Sequence, residues 1–259
     1  MIINPYVFGI PLDPDAQAFL TAASISDATI TSAINTLVLD LKANNLWTKM
    51  KAIYPIVGGS ASSHAVNLKT PGTYNLTFST GWTHASTGMT PNGTSAYADT
   101  SFITNLLTAN SNHLGIYVRT NQVANAVPIG SYTNTPTNKL FQLNISTGAG
   151  TYYYSGDTTT EVTTSIADSK GFFVGTRTAI NNRKIFRNGS SIASQTTSVS
   201  TDYNNISNFI GARNFNGTAN TYTSQQIAFS SIGDGLTDAE AANFYTAVQA
   251  YQTTLSRNV

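Results

Sequence analysis

The stretch Arg183-Lys184-Ile185-Phe186-Arg187-Asn188-Gly189-Ser190-Ser191-Ile192-Ala193-Ser194 decides the fold. Asn188-Gly189 joins two short runs, and Asn-Gly tolerates positive φ at both central positions, as a type I′ turn demands. A β-hairpin is predicted here. A further strand follows at 208–212. A longer alternating run at 225–232 leads into Gly233-Asp234-Gly235-Leu236-Thr237-Asp238-Ala239-Glu240. Thr237 and Glu240 have capping-box spacing, and Leu236 with Ala241 can form the hydrophobic staple, so a terminal helix is predicted over 237–256. Phe244, Val248, Tyr251 and Leu255 mark its buried stripe.

Upstream, from His64 onward, short alternating runs recur every 8–12 positions between turn residues, which is the pattern of a sandwich. The predicted strands are 74–79, 95–100, 113–119, 127–132, 139–145, 151–155, 161–164 and 171–178. Gly171-Phe172-Phe173-Val174-Gly175-Thr176-Arg177 is the most continuously apolar and is expected at the centre of a sheet. Turns are marked by Pro71-Gly72, Asn92-Gly93, Gly148-Ala149-Gly150 and Gly156-Asp157. No period of 20–50 residues repeats, which argues against a solenoid or propeller.

The first sixty residues read differently. Asp13-Pro14 is a cap followed by proline at the first helical position, with Ala16, Phe19, Leu20 and Ala23 on one face. Asp27 caps a second helix carrying Ile30, Ile34, Leu37, Val38 and Leu41. Leu46-Trp47-Thr48-Lys49-Met50 reads as a short third helix, and 57–63 as a small-residue connector. These helices either pack on the sandwich or hold a partner, and an apolar face ordinarily finds its own domain first. The chain thus divides into an extended arm at 1–12, a helical segment at 13–60 and a β domain with its terminal helix at 61–259. The fold class is mainly β, a two-sheet antiparallel sandwich. Residues 1–12 crowd Ile2, Ile3, Tyr6, Val7, Phe8, Ile10 and Leu12 into a stretch with two prolines. Such a segment favours an extended arm that either packs on its own sandwich or adds a strand to a neighbour's sheet edge; the second is expected, with Ile3, Tyr6 and Phe8 as the partner contacts.

Charged residues make up only 10% of the 259, the formal net charge is +1, and there are no cysteines. The 41% hydrophobic content excludes a disordered chain. No Lys/Arg cluster forms a nucleic-acid footprint, no apolar run approaches the ~18 residues of a membrane helix, and disulfides and thiolate metal sites are excluded. The start, Met1-Ile2-Ile3-Asn4-Pro5, lacks the pattern of a signal peptide.

Little in the chain speaks for catalysis. Its two glutamates are Glu161 and Glu240, and the second is committed to a helix cap. Sugar hydrolysis needs two carboxylates facing one bond, so no enzyme is expected. His64, His84 and His113 have no helical metal spacing and read as structural imidazoles. Tyr152-Tyr153-Tyr154 must alternate faces on a strand, so one ring at least leaves the core. Saccharides are held by flat aromatic faces and amides. Tyr132, Tyr152, Tyr154, Tyr222, Asn214 and Asn216 are therefore the candidate ligand residues, against the alternative of a tyrosine-rich sheet surface with no ligand.

The runs "IFRNGSSIAS", "FIGARNFNG" and "QQIAFSSIGDGLTDAEAANFY" resemble the closing strands of concanavalin A-like, laminin G-like jelly rolls. That resemblance implies the jelly roll and admits lectin, glycosidase and purely structural roles alike. It also admits one ion, Ca²⁺, held by loop oxygens, for which Asp99, Asp157 and Asp202 are candidates, with ordinary turn residues as the alternative. No other cofactor is expected. The glycosidase branch carries an E-x-D-x-E strand, absent here. Over 13–259, "DAQAFLTAA", "AINTLVLDLKANNLWTKMKAIYPIVGGSASSHAVNLK" and "LTDAEAANFYTAVQAYQTTLSRNV" resemble a module of bacteriophage structural proteins. The resemblance implies a non-enzymatic virion protein (fibre, decoration or tail tip) exposed on the particle and adhesive to host surface or glycan. Its expected partners are other virion proteins or symmetry mates in a homotrimer. A free lectin and a glycosidase remnant are the alternatives.

Overall fold

A computed structural model describes residues 11–108, 110–156, 161–198 and 203–259. Helix α1 (Pro14–Ala22) begins where Asp13 caps it by accepting from the Asp15 N–H, and helix α2 (Ala28–Ala43) where Asp27 accepts from the Ile30 N–H. A 3₁₀ turn at Trp47–Lys49 runs into strand β1 (Met50–Tyr54), and a one-turn helix α3 (Ala61–Ala65) follows. The remaining strands are β2 (Thr77–Phe78), β3 (Trp82–Ala85), β4 (Gly88–Pro91), β5 (Ala98–Ile103), β6 (Asn112–Val118), β7 (Ile129–Thr133), β8 (Lys139–Ser146) and β9 (Gly150–Gly156). After them come β10 (Val162–Thr164), β11 (Gly171–Ala179), β12 (Asn182–Arg187), β13 (Ser190–Gln195), β14 (Ser207–Ile210), β15 (Arg213–Phe215), β16 (Thr218–Asn220) and β17 (Ile227–Gly233). Helix α4 (Asp238–Thr254) closes the fold, its Thr237–Glu240 capping box formed.

The strands build two sheets. The first runs β13-β12-β11-β6-β17-β4-β3, with β1 also on β17; the second runs β10-β9-β8-β7-β14-β5-β2, with the β15–β16 pair joined to β7. Among the described residues, all pairings are antiparallel except β15 on β7. The predicted Asn188-Gly189 turn forms, with φ of +48° and +77°, and sets Arg187 opposite Ser190.

The molecule has three layers. Leu114, Ile116, Val118, Phe173 and Ile185 of the first sheet meet Ile129, Phe141, Leu143, Ile145, Tyr153 and Ile210 of the second. On its other face the first sheet offers Tyr117, Phe172, Val174, Phe186 and Phe229 to the helices. Phe244 of α4 sits 5.1 Å from Phe172, edge to face, and Ile34, Leu37, Val38 and Leu41 of α2 complete that second core. Each large apolar side chain so buried contributes roughly 1.5–3 kcal/mol. The first half of strand β11 is apolar because both its faces are covered: Phe172 and Val174 face helices while Phe173 faces the other sheet. The amphipathic helices thus pack on their own sandwich.

Several local expectations needed correction. The predicted third helix is only the 3₁₀ turn, and β1, inside the segment read as helical, is a strand of the first sheet. The connector at 57–63 contains the start of α3, which a Ser60–Ser63 capping box begins. Strands β3 and β4 were not anticipated, and the predicted strand 74–79 is reduced to Thr77–Phe78. Of the arm, Leu12 is described and packs on the helical core; Ile3, Tyr6 and Phe8 lie outside the described residues. No helix among the described residues is long and apolar enough to cross a membrane.

Candidate ligand-binding face

The second sheet has one face on the core and one turned away from it, and the pleat decides which side chains go where. On β7, Ile129 and Ser131 point inward, so Gly130 and Tyr132 point outward; on β8, Gln142 and Asn144 point outward between Phe141, Leu143 and Ile145. Register then sets Asn144 opposite Tyr152 and Gly130 opposite both Gln142 and Phe209. The outward face is therefore a field of aromatics and amides.

Its built part lies around β15. The parallel pairing of β15 on β7 puts Phe215 beside Tyr132, with ring centroids 5.0 Å apart. The Arg213 guanidinium lies over both rings, 5.2 Å from Tyr132 and 5.7 Å from Phe215, and its Nε donates to Asn220 Oδ1 at 2.9 Å. Tyr132, Arg213 and Phe215 are all part-exposed, and cation–π contact stiffens the platform. Next to it Phe209 stacks on Tyr97 at 4.5 Å, and a cleft of about 370 Å³ opens between Asp99, Ser101, Asn205, Phe209, Asn214 and Gly217.

The predicted ligand residues do not converge equally. Tyr132 is on the platform, its hydroxyl donating to Asn138 Oδ1 at 2.8 Å. Asn214 lines the cleft but is buried, donating to the Ser207 carbonyl and accepting from the Gly217 N–H, so it shapes the cleft wall. Asn216 exchanges hydrogen bonds with Asn134 and pins the β15–β16 turn. The hydroxyls of Tyr152 and Tyr222 go to the carbonyls of Ala149 and Ala219. Tyr154 lies on β9 opposite Gln142. Arg213, Phe215, Phe209, Tyr97, Gln142 and Asn144 were missed. The alternation Arg213-x-Phe215 was the available signal, but it names a face only when the partner strand is known. Asn144 donates to Asn125 and accepts from Gln142, whose own Oε1 is buried without a hydrogen-bond partner.

Of the calcium candidates, Asp99 spends Oδ1 on the Ser101 N–H, as a turn residue does, while Asp157 and Asp202 lie outside the described residues. No group of three metal-ligating side chains occurs among the described residues. His113 is buried, bonded to the Asp234 carbonyl at Nδ1 and Ser231 at Nε2, and burial pushes its pKa down to about 4. His64 and His84 face each other through Nδ1 at 2.9 Å. Burial, then His84, pushes His64 down to about 3. Glu240 bonds Thr237 in the helix cap and Lys49 Nζ at 2.6 Å.

No protein-family model and no curated protein matches the sequence. Solved structures share the fold. A mutant of Trypanosoma rangeli sialidase displaying trans-sialidase activity superposes with a TM-score of 0.57 at 12% identity, over 87% of this chain and 39% of that one. The T. rangeli sialidase in complex with sialic acid gives 0.51 at 9% identity, over 83% and 38%. The binding domain of botulinum neurotoxin serotype D gives 0.53 at 10% identity, over 77% and 52%. This chain spans about two fifths of the sialidases, and at these identities the likeness is one of fold alone.

Proposed function

We propose that this chain is a non-enzymatic saccharide-binding sandwich that acts as an adhesion module on a bacteriophage particle, as a fibre, decoration or tail tip. The observation that carries the binding reading is the Tyr132–Phe215 platform under Arg213, set beside the cleft at Phe209 and Asn214. Flat rings stack on the apolar faces of a pyranose, and neighbouring amides and hydroxyls pair with its hydroxyl groups. Support comes also from the fold neighbours, among them a sialidase carrying sialic acid and a toxin binding domain. The virion setting rests on the sequence resemblance to phage structural modules. The non-enzymatic reading rests on Glu240, held by its cap and by Lys49.

Glycan-array profiling followed by calorimetry tests the binding. Tyr132→Ala and Phe215→Ala should each weaken a confirmed glycan at least tenfold with the fold intact by circular dichroism. An array without hits, or a hit indifferent to both variants, removes this face from consideration. Glu161→Gln should change nothing; loss of a hydrolytic activity on that substitution would restore the enzyme reading. Co-purification with intact particles tests the virion setting, and a protein recovered only free of particles would favour a free lectin.

A further inference from the structure

A second cleft, of about 380 Å³, opens away from the platform, where β1 of the first sheet, the end of β5 in the second and the loop 69–74 meet. Its walls include Lys51, Lys69, Thr70, Tyr74, Phe102 and Leu106. We propose that this cleft is a distinct ligand site that takes an acidic saccharide, with the sugar's anionic group on Lys69 and its ring against Tyr74 and Leu106.

The argument starts from charge pairing. Around Trp47, Lys42 is bonded to Asp13 and Asp15, Lys49 to Glu240 and Lys51 to Asp234. Lys69 alone of these four has no carboxylate within ion-pair distance among the described residues. Its Nζ lies 4.3 Å above the Trp47 ring and donates to the Trp47 carbonyl at 2.9 Å. An ammonium has three N–H donors, so two remain for a ligand at the cleft wall. Burial, and the like charges of Lys42 and Lys51 against the opposite charge of Asp15, lower the Lys69 pKa from its ordinary value. A half-buried cation so placed gains from any anion that displaces its water without adding strain.

The rest of the cleft selects what carries the anion. Leu106 is 55% exposed, the largest exposure of an apolar side chain at this rim, and Tyr74 meets Phe102 edge to face at 5.1 Å. Thr70 is exposed at the same rim, offering a hydroxyl to a polar ligand. An apolar patch bordered by hydroxyls and two lysines, of which Lys51 is already paired with Asp234, suits a ring with hydroxyl groups and a carboxylate better than a bare anion or an aliphatic tail. This site does not depend on the platform of the second sheet.

The test uses the full-length ¹⁵N-labelled chain and the indole N–H resonance of Trp47, assigned with Trp82→Phe. Sodium D-glucuronate, D-glucose and sodium sulfate are titrated at constant ionic strength. Glucuronate should shift the Trp47 resonance saturably, glucose should not at the same concentrations, and sulfate should bind at least tenfold more weakly. Lys69→Gln should weaken glucuronate at least tenfold, whereas Lys184→Gln, on a different face, should not. Non-saturable shifts, equal responses to glucuronate and glucose, sulfate matching glucuronate, or unchanged affinity in Lys69→Gln would each overturn the proposal. The comparison of the three solutes on the unmodified chain decides it even if a variant fails to fold.

Discussion

Arg257 is 1% exposed and has no carboxylate partner among the described residues. Its Nε donates to Gln252 Oε1 at 2.6 Å, Nη1 to the Ile56 carbonyl at 2.6 Å, and Nη2 to the carbonyls of Pro55 and Ala228 at 2.9 and 3.0 Å. The guanidinium thus ties the end of this sequence to β17 and to the loop after β1. Replacing it with methionine keeps much of the volume and removes all the donors. Two acceptors survive the change, because the Pro55 carbonyl still accepts from the Tyr251 hydroxyl and the Ala228 carbonyl from Gln252 Nε2. Ile56 O and Gln252 Oε1 lose the bond that satisfies them. Each stranded buried acceptor costs about 1–3 kcal/mol, so the pair costs roughly 2–6 kcal/mol. The substitution also removes a buried charge, whose desolvation opposes folding, which places the net near the lower half, about 3 kcal/mol. At roughly 2–4 °C per kcal/mol for a domain of this size, the melting temperature should fall about 6–12 °C. Urea unfolding followed by circular dichroism should show a lower midpoint at unchanged m-value. A loss below about 0.5 kcal/mol would refute the reasoning, since desolvation would then cancel the hydrogen bonds.

Three further outcomes are expected. His113 is neutral in the fold with a pKa near 4, below the unfolded value of 6.5, so the unfolded chain binds the extra proton and stability drops as pH falls from about 6.5 toward 4. The loss from His113 alone is roughly 3 kcal/mol, and acid titration of the urea midpoint should show a shallower decline in His113→Gln. Gly175 has space for no side chain, because a Cβ there would stand 2.2 Å from the Tyr153 ring across the sandwich. Gly175→Ala should cost about 1–3 kcal/mol by thermal unfolding, and a neutral result would mean the two sheets separate easily at this point. Asn188→Ala removes the side chain that accepts from the Phe172 N–H and suits positive φ; proteolysis should then open the β12–β13 turn first, while equal cleavage elsewhere would contradict it.

The sequence by itself determined the elements whose causes are local. The Asn188-Gly189 turn and the caps at Asp13, Asp27 and Thr237 depend on neighbours within a few residues, and all are present. Strand β1 was misread because Met50–Tyr54 becomes a strand only by pairing with β17, some 180 residues later. Of the candidate face, Tyr132 on the platform, Asn214 in the cleft wall and Tyr152 opposite Asn144 were legible. That Tyr152-Tyr153-Tyr154 alternates was certain from the pleat, but which ring faces the core depended on Tyr153 meeting Gly175 of the opposite sheet. Tertiary structure alone decided that Arg213 and Phe215 would cover Tyr132, because the parallel register of β15 on β7 joins residues about eighty positions apart. It also decided that Lys69 would lie on Trp47 with no carboxylate partner among the described residues. Charge pairing and ring stacking act through space, and a chain shows them only once its distant segments have been brought together.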